Sequence, residues 1–227
     1  MRGGKLGLML VFAGVVVAGT ASATPTCTNT MILDPDGTGT VLKSQVTTGF
    51  CVQTQDKLYG NFNIASLPSN TVIQFNLNPI GNFDYHQISF SGAFTKGTTP
   101  AGHTYTWSYE IALAANAIPG TKITELDADF TQTAGGPSVL TDTTNVSGAG
   151  TISESKTGAN ATGNTTVLFG TLVTDMIVTG RLVDKGTISS VTNPIVEELP
   201  DVPEPASLLI VGGALAGFGA LRRKRKD

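Results

Sequence analysis

The clearest pattern along the chain is an alternation of large apolar and mostly polar residues between His103 and Leu113. A period of two is that of a β-strand with one face against a core and the other in water. The sequence therefore predicts a half-buried strand here. Its inward face carries Tyr105, Trp107, Tyr109, Ile111 and Leu113.

Shorter segments predict further strands at residues 57–64, 71–77, 84–94, 121–131, 146–154, 165–178 and 181–188. Clusters of glycine, proline and asparagine separate many of them, as expected for turns. No long segment has the helical period of 3.6 residues. The pattern predicts one mainly β domain at residues 24–192, an antiparallel β-sandwich of jelly-roll type. A β-helix is the alternative, but the sequence shows no fixed short repeat.

The N-terminus has the pattern of a secretory signal peptide. Arg2 and Lys5 precede an apolar stretch at residues 6–18, and small residues occupy positions 21–23. This order predicts a signal peptide at residues 1–23, cleaved before Thr24. The short apolar run argues against the alternative, an uncleaved signal anchor.

The C-terminus combines a short proline motif, an apolar segment and a basic cluster. The apolar segment, residues 206–221, would rise roughly 24 Å as a helix, against a bilayer core of about 30 Å. A cationic cluster after such a segment stays on the cytoplasmic side, so the body would lie outside the inner membrane. The motif is Pro203, Glu204 and Pro205, and the basic cluster is Arg222, Arg223, Lys224, Arg225 and Lys226.

This three-part order at residues 203–227 resembles the PEP-CTERM sorting signal, whose namesake motif is matched by Pro203, Glu204 and Pro205. The resemblance implies recognition by an exosortase, a membrane protease that cuts near the motif. It also implies that residues 206–221 enter the inner membrane only transiently, and that the body reaches the cell surface or an extracellular polysaccharide matrix. A plain C-terminal membrane anchor is the alternative.

A second, shorter stretch also resembles this family. The segment from Cys51 through Asp56 and Lys57 to Phe62 is similar to a cysteine, Asp-Lys, aromatic, Asn-Phe pattern in many PEP-CTERM proteins with β-rich bodies. Considered residue by residue, Asp56-Lys57 is expected to form a turn, with Tyr59 and Phe62 in the core.

Charge changes the picture once the two ends are set aside. Residues 24–205 contain 7 basic and 16 acidic residues, a net charge of −9. Such a surface disfavours nucleic acid as a partner. Four prolines and four acidic residues between Asn193 and Pro205 predict an extended acidic linker at residues 193–202.

The two cysteines, Cys27 and Cys51, are expected to pair in an oxidising compartment. A disulfide would tie the N-terminal arm to the first strands. A two-thiol metal or redox site is the alternative, but the sequence has no CxxC spacing.

Candidates for catalysis are few. Only His86 and His103 supply imidazole, and both are expected at solvent-facing or strand-end positions. Neither GxSxG nor HExxH occurs. Carboxylates on predicted strands are expected to lie on solvated faces; they are Glu110, Glu125, Asp127 and Asp129. The sequence therefore predicts a protein that is not an enzyme and that needs no cofactor.

Asp34 and Asp36, followed by Gly37, imitate the opening of a calcium loop. The next ligand position holds Thr38, and no glutamate closes the loop, so an ordinary turn is the favoured interpretation and no metal is assigned.

Two functions remain for the body. The first is a noncatalytic surface or extracellular-matrix protein associated with exopolysaccharide and biofilm. The second is a carbohydrate-binding or carbohydrate-active module, in which Trp107, Tyr105 or Tyr85 would stack on sugars. Burial of Trp107 would remove the best sugar platform.

Overall fold

The computed structural model describes residues 24–33, 36–80, 83–95, 102–158 and 160–200. The expected signal peptide and the whole sorting segment, with its proline motif, apolar run and basic cluster, lie outside these residues. The described part contains strands, one 3₁₀ turn at Lys43–Gln45 and no α-helix. No helix within it is long and apolar enough to cross a membrane.

Fifteen strands are formed by the described residues. In chain order they are β1 (Asn29–Ile32), β2 (Gly39–Leu42), β3 (Phe50–Thr54), β4 (Lys57–Asn63), β5 (Val72–Ile80), β6 (Phe83–Ser91), β7 (His103–Leu113), β8 (Lys122–Asp127), β9 (Asp129–Gly135), β10 (Ser138–Thr144), β11 (Ile152–Thr157), β12 (Asn160–Asn164), β13 (Thr166–Val173), β14 (Asp175–Asp184) and β15 (Gly186–Glu198).

The strands form two sheets. The first has the order β1-β3-β4-β7-β14-β10-β11-β12, and the second has the order β13-β8-β15-β6-β5-β2, with β9 also paired to β15. All described pairs are antiparallel except β1 with β3, which run parallel. The mainly β, two-sheet fold is as the sequence predicts.

Aromatic side chains from the two sheets meet in a shared core. The rings of Tyr59 on β4 and Phe75 on β5 are 5.2 Å apart, edge to face. Those of Phe90 on β6 and Trp107 on β7 are 5.8 Å apart. Because each pair joins one sheet to the other, the buried faces contact one another directly.

The alternation from His103 to Leu113 is confirmed as β7, with Trp107 only 2% exposed. The strand predicted at residues 146–154 is wrong over most of its length. Residues 145–151 form turns and irregular backbone between β10 and β11. β10 was missed because its inward face carries Ser138 and Asp142 beside Leu140, so no apolar alternation marks it.

The predicted linker is also wrong for residues 193–198, and the domain does not end at residue 192. These residues continue β15, which pairs with β6 on one side and β8 on the other. Asn193, Ile195, Val196 and Glu197 are buried. Pro194 lies where β15 changes partner, between its last pair with β9 at Thr192 and its first pair with β8 at Ile195. Glu197 is accepted in the core because Lys57 contacts its carboxylate.

The expected disulfide between Cys27 and Cys51 is present, with the two Cα atoms 5.6 Å apart. It joins the segment before β1 to β3. The alternative of a free two-thiol site is therefore excluded, since both sulfurs are consumed.

Candidate functional site

Three strands and one turn bring four ionisable side chains together inside the fold. Lys57 opens β4 in the first sheet, and Asp56 precedes it in the β3–β4 turn. His86 lies on β6 and Glu197 on β15, which are neighbours in the second sheet. We call these four residues the buried charge cluster; it spans the space between the two sheets.

Each strand places its member on the inward face by its period of two. Lys57 precedes the buried Tyr59, His86 precedes the buried Ile88, and Glu197 follows the buried Ile195, each at a spacing of two. The side chains of Lys57 and Glu197 are 0% exposed and that of His86 is 1% exposed, whereas Asp56 is 15% exposed. Only Asp56 therefore reaches solvent to any extent.

Lys57 is the centre of the cluster. Its Nζ donates to Asp56 Oδ1 at 2.9 Å and directly contacts Glu197 Oε2. His86 Nε2 lies 3.5 Å from Glu197 Oε2 and 3.7 Å from Asp56 Oδ1. Among the described residues, His86 Nδ1 and Glu197 Oε1 have no hydrogen-bond partner.

Burial dominates the electrostatics of the cluster. It lowers the pKa of Lys57 to about 8, against the opposing charge of Asp56. Burial, reinforced by the charge of Lys57, lowers the pKa of His86 to about 3. The imidazole is therefore neutral at physiological pH, and a substantial fraction of Lys57 becomes a neutral amine at mildly alkaline pH.

Three side chains of the cluster could in principle bind a metal ion. One potential ligand atom from each of Asp56, His86 and Glu197 lies within 4.8 Å of the other two. Lys57 contacts both carboxylates of this set. A cation thus already lies against the two carboxylates, where a metal ion would bind. The geometry favours an ion-pair cluster over a metal centre.

The expectation that His86 lies at a solvent-facing or strand-end position is wrong, because β6 turns its side chain into the core. The signal that could have shown this is its position two residues before Ile88 and four before Phe90, on the same face of the strand. His103 does lie at the exposed start of β7, stacked on Tyr105 with ring centroids 4.4 Å apart. The two imidazoles belong to different environments.

Asp56 lies in the predicted turn, but Lys57 is the first residue of β4 and is buried. Glu197, assigned to the linker by its acidic and proline-rich neighbours, was missed altogether. Tyr59 is in the core, as expected, and Phe62 is half-buried against it.

A second buried polar pair lies elsewhere between the sheets. Asn193 Nδ2 on β15 donates a hydrogen bond to Asp142 Oδ2 on β10. Asp142 is 1% exposed, and burial raises its pKa to about 7. Tyr109 lies near this carboxyl, and its hydroxyl has no hydrogen-bond partner among the described residues.

The other predicted site residues lie apart from both clusters. Asp34 is outside the described residues, whereas Asp36 Oδ1 accepts hydrogen bonds from the Thr38 backbone N–H and hydroxyl at 3.1 and 2.9 Å. These bonds hold the pKa of Asp36 below its usual value. They are the contacts of an ordinary Asx turn.

Four carboxylates were expected on solvated strand faces. Asp129 is exposed, and the other three are half-buried: Glu110, Glu125 and Asp127. Glu110 accepts a hydrogen bond from Asn61 at 2.6 Å, and Asp129 is ion-paired with Lys156.

The comparisons with known proteins address the C-terminal segment. The PEP-CTERM protein-sorting motif matches residues 201–225, which include Pro203, Glu204 and Pro205. No curated protein and no solved structure matches the chain. The chain therefore carries a C-terminal PEP-CTERM sorting motif, which indicates an exported protein and supports its exosortase-dependent sorting.

Proposed function

We propose that this protein is a noncatalytic surface or extracellular-matrix protein. Its β-sandwich body is cut from the tail by an exosortase near Pro203-Glu204-Pro205 and then remains in an exopolysaccharide-containing layer such as a biofilm. The observation that carries the proposal is the sorting motif at residues 201–225, joined to a body built from two packed β-sheets.

The last strand of the body ends only a few residues before the sorting motif. β15 ends at Glu198, and the motif match begins at residue 201. Only Leu199 and Pro200 separate them, so the cut site lies close to the end of a central strand. The body itself therefore approaches the membrane enzyme, because no long spacer holds it away.

The net charge and the disulfide of the body are both compatible with an extracellular protein. Residues 24–205 carry a net charge of −9, which favours solubility and repels anionic lipid. The Cys27–Cys51 bond forms in an oxidising compartment.

The burial of two aromatic side chains argues against the alternative function, a carbohydrate-binding module. Trp107 and Tyr105 are 2% and 3% exposed, so neither ring offers a face to a sugar. Tyr85 is only half-buried and remains the one aromatic of the three with accessible surface. Saturable binding of soluble exopolysaccharide by the chain, lost on Tyr85→Ala, would favour this alternative.

The sorting proposal is tested by fractionating the native host with and without its exosortase. We expect the body at the surface without its tail in the first strain, and in the membrane fraction with its tail in the second. A chain with Pro203→Ala, Glu204→Ala and Pro205→Ala should behave like the second strain, and Pro200→Ala, outside the matched motif, like the first. Equal surface delivery of a tail-bearing chain in both strains would contradict the proposal.

A further inference from the structure

We propose that Lys57 and Glu197 condense to form an intramolecular isopeptide bond, with Asp56 as the group that transfers the protons. The bond would join Lys57 Nζ to Glu197 Cδ and link the two sheets covalently between β4 and β15. This inference concerns the body alone and does not depend on the sorting of the tail.

The reacting groups are already in contact. Lys57 Nζ touches Glu197 Oε2, and the carboxyl carbon Cδ is one bond from that oxygen. Both side chains are 0% exposed, so neither can move into water without opening the core. Holding two reactants in this way removes the entropic cost of bringing them together.

The surroundings favour the uncharged reactants. An ammonium and a carboxylate lose their hydration when buried, and the attraction between them repays this only with full hydrogen bonding. Glu197 Oε1 has no hydrogen-bond partner among the described residues, so the pair falls short of that condition. An amide has no net charge, and its formation removes a buried ion pair from the core.

Asp56 is placed to move the protons. Its Oδ1 lies 2.9 Å from Lys57 Nζ, and at 15% exposed it keeps some contact with solvent. Lys57 has a pKa lowered by burial to about 8, so its neutral, nucleophilic amine is accessible. His86 is neutral, so it adds no further charge beside the carboxyl group of Glu197.

The reaction balances without an oxidant or a further reactant. Asp56 passes one proton from the Lys57 ammonium to the Glu197 carboxylate, and the free electron pair of the resulting amine attacks Cδ of the neutral carboxyl group. The N–C bond forms, and one C–O bond of the carboxyl breaks with its electrons going to the leaving oxygen. Of the three ammonium protons, one stays on the amide nitrogen. The other two pass through Asp56 to the leaving oxygen, which departs as water.

A neighbouring pair shows which features are specific to this site. Lys122 and Glu198 also form a lysine–glutamate ion pair, with Nζ and Oε2 2.8 Å apart. Their side chains are 39% and 38% exposed, so water stabilises both charges and the pair has no reason to condense. This pair provides a matched control on the same strand, one residue along.

The position of the bond gives it a mechanical purpose. β15 is the strand that leads into the sorting segment, and Glu197 lies close to its end. A force applied at the C-terminal end of the body would first load β15 and its hydrogen bonds. A covalent link from Glu197 to β4 would pass that load to the other sheet without unzipping the strand.

The test is the intact mass of the full chain after purification, denaturation and reduction. We expect the mass to fall short of the sequence mass of the recovered chain by one water molecule. Trypsin should then give a branched peptide joining the Lys57 and Glu197 segments, without cleavage after Lys57. A wild-type chain with its full sequence mass and ordinary cleavage at Lys57 would overturn the proposal.

Variants separate the roles of the residues. Lys57→Met and Glu197→Ala should each restore the full mass, and Glu198→Gln should leave the loss of water unchanged. Asp56→Asn should slow bond formation by about 10²- to 10⁴-fold, the usual contribution of a proton-transferring group. Loss of water that persists in Lys57→Met would show that other residues react and would also refute the assignment.

Discussion

Asp142→Asn offers the sharpest test of how burial governs this core. Asp142 is on β10, 1% exposed, and accepts a hydrogen bond from Asn193 across the two sheets. An asparagine has the same shape and carries no charge. The substitution therefore removes the cost of ionising a buried carboxyl while keeping the packing.

The magnitude follows from the pKa of Asp142, which burial raises from 3.8 to about 7. Each pKa unit corresponds to about 1.4 kcal/mol, so the ionised form costs roughly 4 kcal/mol of folding free energy. Below about pH 4 the carboxyl is protonated in both folded and unfolded chains, and the cost is absent. Between pH 4 and 7 only the unfolded chain ionises, so stability falls as the pH rises; above pH 7 the loss is constant.

Urea unfolding of wild type and Asp142→Asn at pH 4 and pH 8 measures this directly. We expect nearly equal free energies of unfolding at pH 4 and a gain of roughly 4 kcal/mol for the variant at pH 8. Glu198→Gln, which changes a partly exposed carboxylate, should shift stability by less than about 1 kcal/mol at both values. A difference between wild type and Asp142→Asn that does not change with pH would refute the reasoning.

Three further predictions concern the core and the disulfide. Cys27→Ser with Cys51→Ser should lower the free energy of unfolding by about 3 kcal/mol, measured by urea unfolding, because it opens a loop of 24 residues' separation; an unchanged midpoint would contradict this. Gly180→Ala would place a Cβ against the indole of Trp107 and should lower the free energy of unfolding by about 3 kcal/mol. Gly170→Ala, which has open space around it, should leave stability nearly unchanged. Similar melting temperatures for the two variants would contradict this, because they would show that the core accommodates the added methyl group. Trp107 fluorescence should be quenched weakly by acrylamide in the folded chain and strongly in urea, since its ring is 2% exposed; strong quenching in the folded chain would place it at the surface.

The strands with apolar inward faces could be predicted from the sequence. β7 is the best case, because Tyr105, Trp107, Tyr109 and Ile111 mark every second position and all are buried. β10 could not be found in this way, since a buried serine and a buried aspartate replace apolar residues on its inward face. The pairing of β1 with β3 in parallel also left no local trace, as it depends on the intervening chain.

The buried charge cluster could be foreseen only in part. His86 alternates with Ile88 and Phe90, which indicates an inward side chain, but a polar imidazole on a strand also suits the solvent-facing or strand-end position that the sequence predicts. Glu197 looked like part of a linker because acidic residues and prolines surround it. Its burial depends on Lys57, which is 140 positions earlier in the chain, and no local pattern reports such a partner.

The proposed function depends most on one step, the proteolytic removal of the sorting tail during delivery to the cell surface. Peptide mapping of the chain extracted from the surface of its native host tests this most directly. We predict an N-terminus at Thr24 and a C-terminus close to Pro203-Glu204-Pro205, with no peptide from the apolar segment at residues 206–221. Recovery of that segment, still joined to the body at the surface, would contradict the account.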